Sequence, residues 1–116
     1  EEVSLNGGDT SAEVVDDPAT FVLPDSYTLW QNWPNPFNPE TQIRYNLPQE
    51  SFVELTVYDL VGQKVRILVF DYQSPGSYTL TWDGRDDSGY EAAAGVYLYS
   101  LQVGDVIKTR KMALIR

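Results

Sequence analysis

The residues best equipped for chemistry are three carboxylates in five positions, Asp83, Asp86 and Asp87, inside the run Trp82-Asp83-Gly84-Arg85-Asp86-Asp87-Ser88-Gly89. Calcium takes oxygen ligands from short, glycine-bent loops of this kind. Against that stand the lack of a Glu at the distal position an EF-hand uses and the competing cation of Arg85. The ordinary role for such a run is an Asx turn, in which the carboxylates accept hydrogen bonds from nearby backbone N–H groups. A catalytic pair of Asp86 and Asp87 is disfavoured because adjacent side chains on a strand or turn diverge. The chain has no His and no Cys, which removes the commonest general base, the commonest zinc ligand and thiolate chemistry. The sequence therefore predicts no catalysis, no metal and no cofactor. Trp30, Trp33 and Trp82 could form a flat platform for sugar rings, but Trp82 alternates in register with Tyr78 and Leu80 and belongs to a core. Too few aromatics are left to define a binding strip.

The elements that would position these residues are strands. Ile43, Tyr45 and Leu47 alternate with Gln42, Arg44 and Asn46, and Val53, Leu55 and Val57 alternate with Glu54 and Thr56. Asp59 to Gln63, with Gly62, turns the chain into Lys64 to Phe70. Gln73-Ser74-Pro75-Gly76 turns it again, into Tyr78, Leu80 and Trp82. Val96 to Val103 and Val106 to Ile115 form a hairpin about Gly104-Asp105. No stretch supports a helix longer than a turn. About seven short strands at near-regular spacing predict an all-β, antiparallel sandwich of two sheets. Trp30 to Pro39 carries three prolines, each of which removes a backbone donor, so Pro34-Asn35-Pro36-Phe37-Asn38-Pro39 reads as a fixed loop. There Trp33 and Phe37 would plug the mouth of the sandwich, while Asn35 and Asn38 would satisfy backbone groups left unpaired.

Charge divides the chain. The net charge is −9, every ionisable residue from Glu1 to Glu40 is acidic, and four of the eight basic residues (Lys108, Arg110, Lys111, Arg116) fall after position 107. Such a chain is a poor ligand for nucleic acid, whose affinity depends on Lys and Arg neutralising phosphates. The basic end reads as an edge strand protected by its charges, or as a docking surface. Residues 1–20 have the composition of an acidic flexible linker, leaving 21–116 as the folded domain. The longest apolar stretch, Val65 to Phe70, is far short of the roughly 20 residues a transmembrane helix needs. Because the chain begins at Glu1 and its single Met is Met112, it reads as part of a longer polypeptide.

Three stretches carry a family resemblance. Leu29-Trp30-Gln31-Asn32-Trp33-Pro34-Asn35-Pro36-Phe37-Asn38-Pro39-Glu40-Thr41 resembles the opening block of the type A carboxy-terminal sorting domains of type IX secretion cargo, with Trp33 where Tyr is usual. Val57-Tyr58-Asp59-Leu60-Val61-Gly62-Gln63-Lys64-Val65 is similar to that family's first hairpin. Gly95-Val96-Tyr97 through Lys111-Met112 is similar to its closing strands. The pattern from Trp82-Asp83-Gly84 to Gly89, with Gly95-Val96-Tyr97, also resembles the immunoglobulin-like domain of flagellar hook-capping proteins, without the opening block.

The resemblance implies an immunoglobulin-like fold and a non-catalytic address that takes a larger cargo through the periplasm and across the outer membrane, to be secreted or displayed on the cell surface. The implied partners are the type IX translocon, a sortase-like peptidase and an upstream cargo domain in the same polypeptide, with cleavage within 1–20. The candidate translocon-recognition residues are Asn35, Pro36, Phe37, Asn38, Pro39, Gly95, Tyr97, Lys108, Arg110, Lys111 and Met112. The two strands Val96 to Val103 and Val106 to Ile115 are the candidates for β-augmentation. Removing Lys111 through Arg116 is expected to block export without unfolding the rest. The alternatives are an immunoglobulin-like accessory or carbohydrate-binding module of an extracellular glycoside hydrolase and, third, a hook-cap-like assembly domain.

Overall fold

Period-two alternation along the chain gives each strand one apolar face, and two sheets bury those faces against each other. The computed structural model describes residues 24–116, so the acidic linker expected over 1–20 lies outside the described residues. The strands are β1 (Thr28–Leu29), β2 (Thr41–Leu47), β3 (Ser51–Tyr58), β4 (Lys64–Gln73), β5 (Gly76–Trp82), β6 (Gly95–Val103) and β7 (Val106–Leu114). One sheet has the order β1-β2-β5 and the other β4-β3-β6-β7, antiparallel throughout. This is an immunoglobulin-like β-sandwich. No helix occurs among the described residues, and none is long and apolar enough to cross a membrane.

The core follows the alternation. Ile43, Tyr45 and Leu47 of β2 face Val53, Leu55 and Val57 of β3 and Tyr97, Tyr99, Leu101 and Val103 of β6, all buried. Tyr45 stacks on its cross-strand partner Tyr78 with ring centroids 5.3 Å apart, an arrangement that adds to simple area burial.

Strand β4 departs from the simple pattern. It continues to Gln73 instead of stopping near Phe70, so only Ser74 and Pro75 lie between β4 and β5. Its pairing with β3 slips between Leu55 and Thr56 and again between Val57 and Tyr58, leaving Leu68 and Val65 without partners. Each such bulge inserts a residue and re-aims those beyond it. At the far end Phe52 meets Phe70 and Tyr72 edge-on, with centroids 4.9 and 5.0 Å away, on the solvent face.

Strand β6 lies between β3 and β7, with both of its edges hydrogen-bonded. It therefore has no free edge for a further strand. Of the two strands expected to accept one, only β7 is at a sheet edge.

Burial pushes the hydroxyls of Tyr45 and Tyr99 up to about 12, partly offset at Tyr99 by the hydrogen bond that the Asn32 N–H donates to it. In an unfolded chain both would ionise near 10. The folded state thus holds these protons to higher pH than the unfolded state does. Stability is unaffected below about pH 10 and is expected to fall as the pH rises from there through about 12, on the order of 2 kcal/mol per tyrosine. Denaturant unfolding across that range, followed together with phenolate absorbance, checks this. A flat profile would contradict it.

Candidate functional site at the β7 edge

The proline-rich block forms a surrogate strand along the outer edge of β7. Proline cannot donate, so the bonds come from the residues between the prolines. The Phe37 N–H donates to the Ala113 carbonyl at 3.0 Å, and the Ile115 N–H donates to the Phe37 carbonyl at 2.9 Å, a parallel bridge between Phe37 and Leu114. The Asn35 side-chain oxygen accepts from the Ala113 N–H at 3.0 Å, and Gln31 Nε2 donates to the Lys111 carbonyl at 2.6 Å. The three X-Pro bonds Trp33-Pro34, Asn35-Pro36 and Asn38-Pro39 are cis.

A buried polar network holds the block in place. The Asn32 N–H donates to the Tyr99 hydroxyl at 2.7 Å, and Asn32 Nδ2 donates to Thr41 Oγ1 at 2.9 Å and to the Pro34 carbonyl at 3.2 Å. The Thr41 and Tyr99 hydroxyls donate in turn to the carbonyls of Pro34 and Trp30. Asn32, Thr41, Tyr99 and Gln31 position the site, and sequence reasoning did not single them out. The signal for Asn32 was a polar residue inside a block whose neighbours have few donors. Nothing in the spacing marks the other three.

The candidate residues divide into two groups. Phe37, Tyr97 and Met112 are buried, with the Phe37 and Tyr97 rings both packed on Trp82, at 5.7 and 5.6 Å between centroids. The Tyr97 hydroxyl donates to the Ala93 carbonyl. Asn35, Pro36, Asn38, Pro39, Gly95, Lys108, Arg110 and Lys111 are exposed. The fold brings Asn35 and Phe37 against Lys111 to Leu114, and Gly95 pairs with Leu114. Lys108 and Arg110 lie further along β7, where Arg110 Nε donates to the Leu29 carbonyl.

Two expectations change. Trp33 does not plug the sandwich: it pairs with Gln42 through its backbone while its side chain is 76% exposed. The tail cannot be removed without harm to the fold, because Met112 and Leu114 are core residues and Arg116 donates to the carbonyls of Ala92 and Gly84.

The carboxylate run serves the opposite sheet edge, β4. Asp83 accepts from the Arg85 N–H, and Asp86 accepts from those of Ser88 and Tyr90, which are Asx-type turns. The Asp87 carboxylate accepts from the Ile67 N–H and its own N–H donates to the Val65 carbonyl, so it caps the bulged start of β4. Among the described residues no three acidic side chains converge as a metal site would require. Gly84 lies at φ +76, and a Cβ there would sit 2.8 Å from the Pro39 carbonyl oxygen. Gly84→Ala is expected to cost about 2–3 kcal/mol, measurable by thermal unfolding, through both strain and contact.

Comparison with known proteins adds the following. Residues 38–105 match the FlgD Ig-like domain family. FlgD from P. aeruginosa is 32% identical over 64% of this chain and 57% of its own, with a TM-score of 0.50. PorU of Porphyromonas gingivalis, solved as a latent dimer, is 20% identical over 90% of this chain and 10% of its own, with a TM-score of 0.61. PorZ of the same organism, described as an essential bacterial surface component of its type-IX secretion system, is 19% identical over 79% and 12%, with a TM-score of 0.52. The chain spans less than two thirds of the length of each. No curated protein matches.

Proposed function

Since the chain belongs to the FlgD Ig-like domain family, we propose that it is a non-catalytic immunoglobulin-like module that serves as a sorting address, directing an upstream cargo domain across the outer membrane by type IX secretion. One observation carries this reading. The family match over residues 38–105 ends short of both the Trp30 to Phe37 block and the Val106 to Arg116 segment, and those two segments bind each other. The match thus covers strands β2 to β6 of the sandwich, and the composite surface where the block meets β7 lies outside it. That surface contains the opening and closing motifs of the sorting-domain resemblance. Its partners would be the translocon and a sortase-like peptidase, and its destination the cell surface or the medium. Sharing a fold with PorZ and PorU is consistent with such a route.

The second reading is an assembly module of the hook-cap kind, favoured by the family match and by the 32% identity to FlgD. Fusing residues 21–116 behind a signal peptide and a fluorescent reporter in a type IX-competent bacterium separates the two. Reporter at the surface or in the medium, lost in a translocon mutant, is the expected result. A folded fusion held in the periplasm would overturn the sorting reading in favour of assembly.

A further inference from the structure

The block covers only part of the β7 edge. Both the N–H and the carbonyl of Ala113 point outward to the block, as does the Lys111 carbonyl. Strand geometry repeats every second residue, so Thr109 and Ile107 also present their main-chain groups outward. Among the described residues nothing pairs with them. The open half of the edge is strongly basic for so acidic a chain. From Gly95 to Arg116 the sequence contains one carboxylate, Asp105, against Lys108, Arg110, Lys111 and Arg116, while the whole chain carries a net charge of −9.

The pairing register sorts these cations by face. Lys108 and Arg110 pair with the buried Leu101 and Tyr99, so they stand on the sandwich side of β7, whereas Ile107, Thr109 and Lys111 stand on the outer side. Edge cations, including inward-facing ones, keep like edges apart. A second copy of this chain offering the same edge would meet these cations with its own, so self-pairing is disfavoured.

We infer that the open half of β7, around Ile107 and Thr109, receives an extended acidic strand from a partner protein, which extends the four-stranded sheet beside β7. The main-chain groups of Ile107 and Thr109 supply the hydrogen bonds. Acidic side chains at alternate positions of the incoming strand meet Lys108 and Arg110, and its apolar side chains lie beside Ile107. The identity of that partner as part of the export route rests on the sorting reading above; the edge chemistry does not.

The test uses the full chain and a terminally blocked peptide alternating Glu and Val, with one alternating Lys and Val as control. The acidic peptide is expected to shift and protect the Ile107 and Thr109 amides, with affinity that falls as salt rises. Thr109→Pro removes an outward donor without breaking a bond to β6 and is expected to weaken binding by about tenfold or more. Should that variant unfold, Lys108→Glu changes a cation on the face that meets the acidic side chains, leaves the backbone intact and is expected to weaken the Glu–Val peptide and favour the Lys–Val peptide.

Undisturbed Ile107 and Thr109 amides, or salt-insensitive binding, would overturn the assignment. So would amides already protected in the free chain and released by Asp16→Asn with Asp17→Asn, because the chain's own acidic segment would then be the occupant. Failure here is distinguishable from failure of the sorting role. Peptide binding without reporter export removes only the sorting role, and translocon-dependent export without peptide binding removes only the edge assignment.

Discussion

A chain shortened by residues 111–116 is expected to lose cooperative folding altogether. Met112 and Leu114 are 2% and 1% exposed, and truncating a single buried side chain of this size to Ala typically costs about 2–5 kcal/mol. The deletion removes both, and with them the last rungs of the ladder with β6 and the bonds to Gln31, Asn35 and Phe37. Domains of this size are stable by only about 5–15 kcal/mol in total. Near-UV circular dichroism and a thermal scan should show no native transition. Lys111→Ala, on an exposed side chain, should keep the transition within about 0.5 kcal/mol of the parent. If the shortened chain melted like the parent, the end of β7 would not belong to the core. An export defect in such a truncation therefore reports unfolding, and single exposed positions are the informative ones for recognition.

The second large effect is expected at Phe37. Phe37→Ala should cost about 3–5 kcal/mol, because the ring is 1% exposed and packed on Trp82, so its loss leaves a cavity beneath the block. Trp33→Ala, four positions earlier and equally aromatic, should cost no more than about 0.5 kcal/mol, since the indole is mostly in solvent. Urea unfolding of both variants decides the matter. Equal losses would mean that the block is held by its aromatic content in general. A loss confined to Phe37 would leave Trp33 free as a surface contact whose removal can be examined for export without a stability defect.

That pair also shows where the sequence was readable and where it was not. Strands β2, β3, β5, β6 and β7 were legible because their alternation is enforced by a face that must be dry, and Trp82 was placed in the core on the same ground. Inside the proline block no period exists, so nothing local distinguishes the ring that turns inward from the one that does not. Strand β4 was cut short at Phe70 because Phe70, Asp71 and Tyr72 are all exposed and no dry face enforces a period there, while the bulges at Val65 and Leu68 blur the alternation before it. The two-residue β1 is too short to have a period. The basic residues of β7 drew attention to charge and hid the fact that Met112 and Leu114, spaced two apart among them, continue the inner face. For the site, the motifs indicated which segments matter. That the first and last of them touch is a long-range contact no spacing rule contains.

This contact also orders events in time. The Asn35 to Ala113 bond spans 78 residues, and synthesis runs from the amino terminus, so the block leaves the ribosome well before the strand that receives it. Until β7 is made, the Phe37 N–H and carbonyl and the Asn35 side-chain oxygen lack the strand they bond to. A nascent chain halted before β7 displays an unseated block beside an unfinished sheet, the kind of exposed surface that chaperones and proteases act on. Any receptor that grips the block and β7 together would therefore read two things at once, the identity of the module and the completion of its translation.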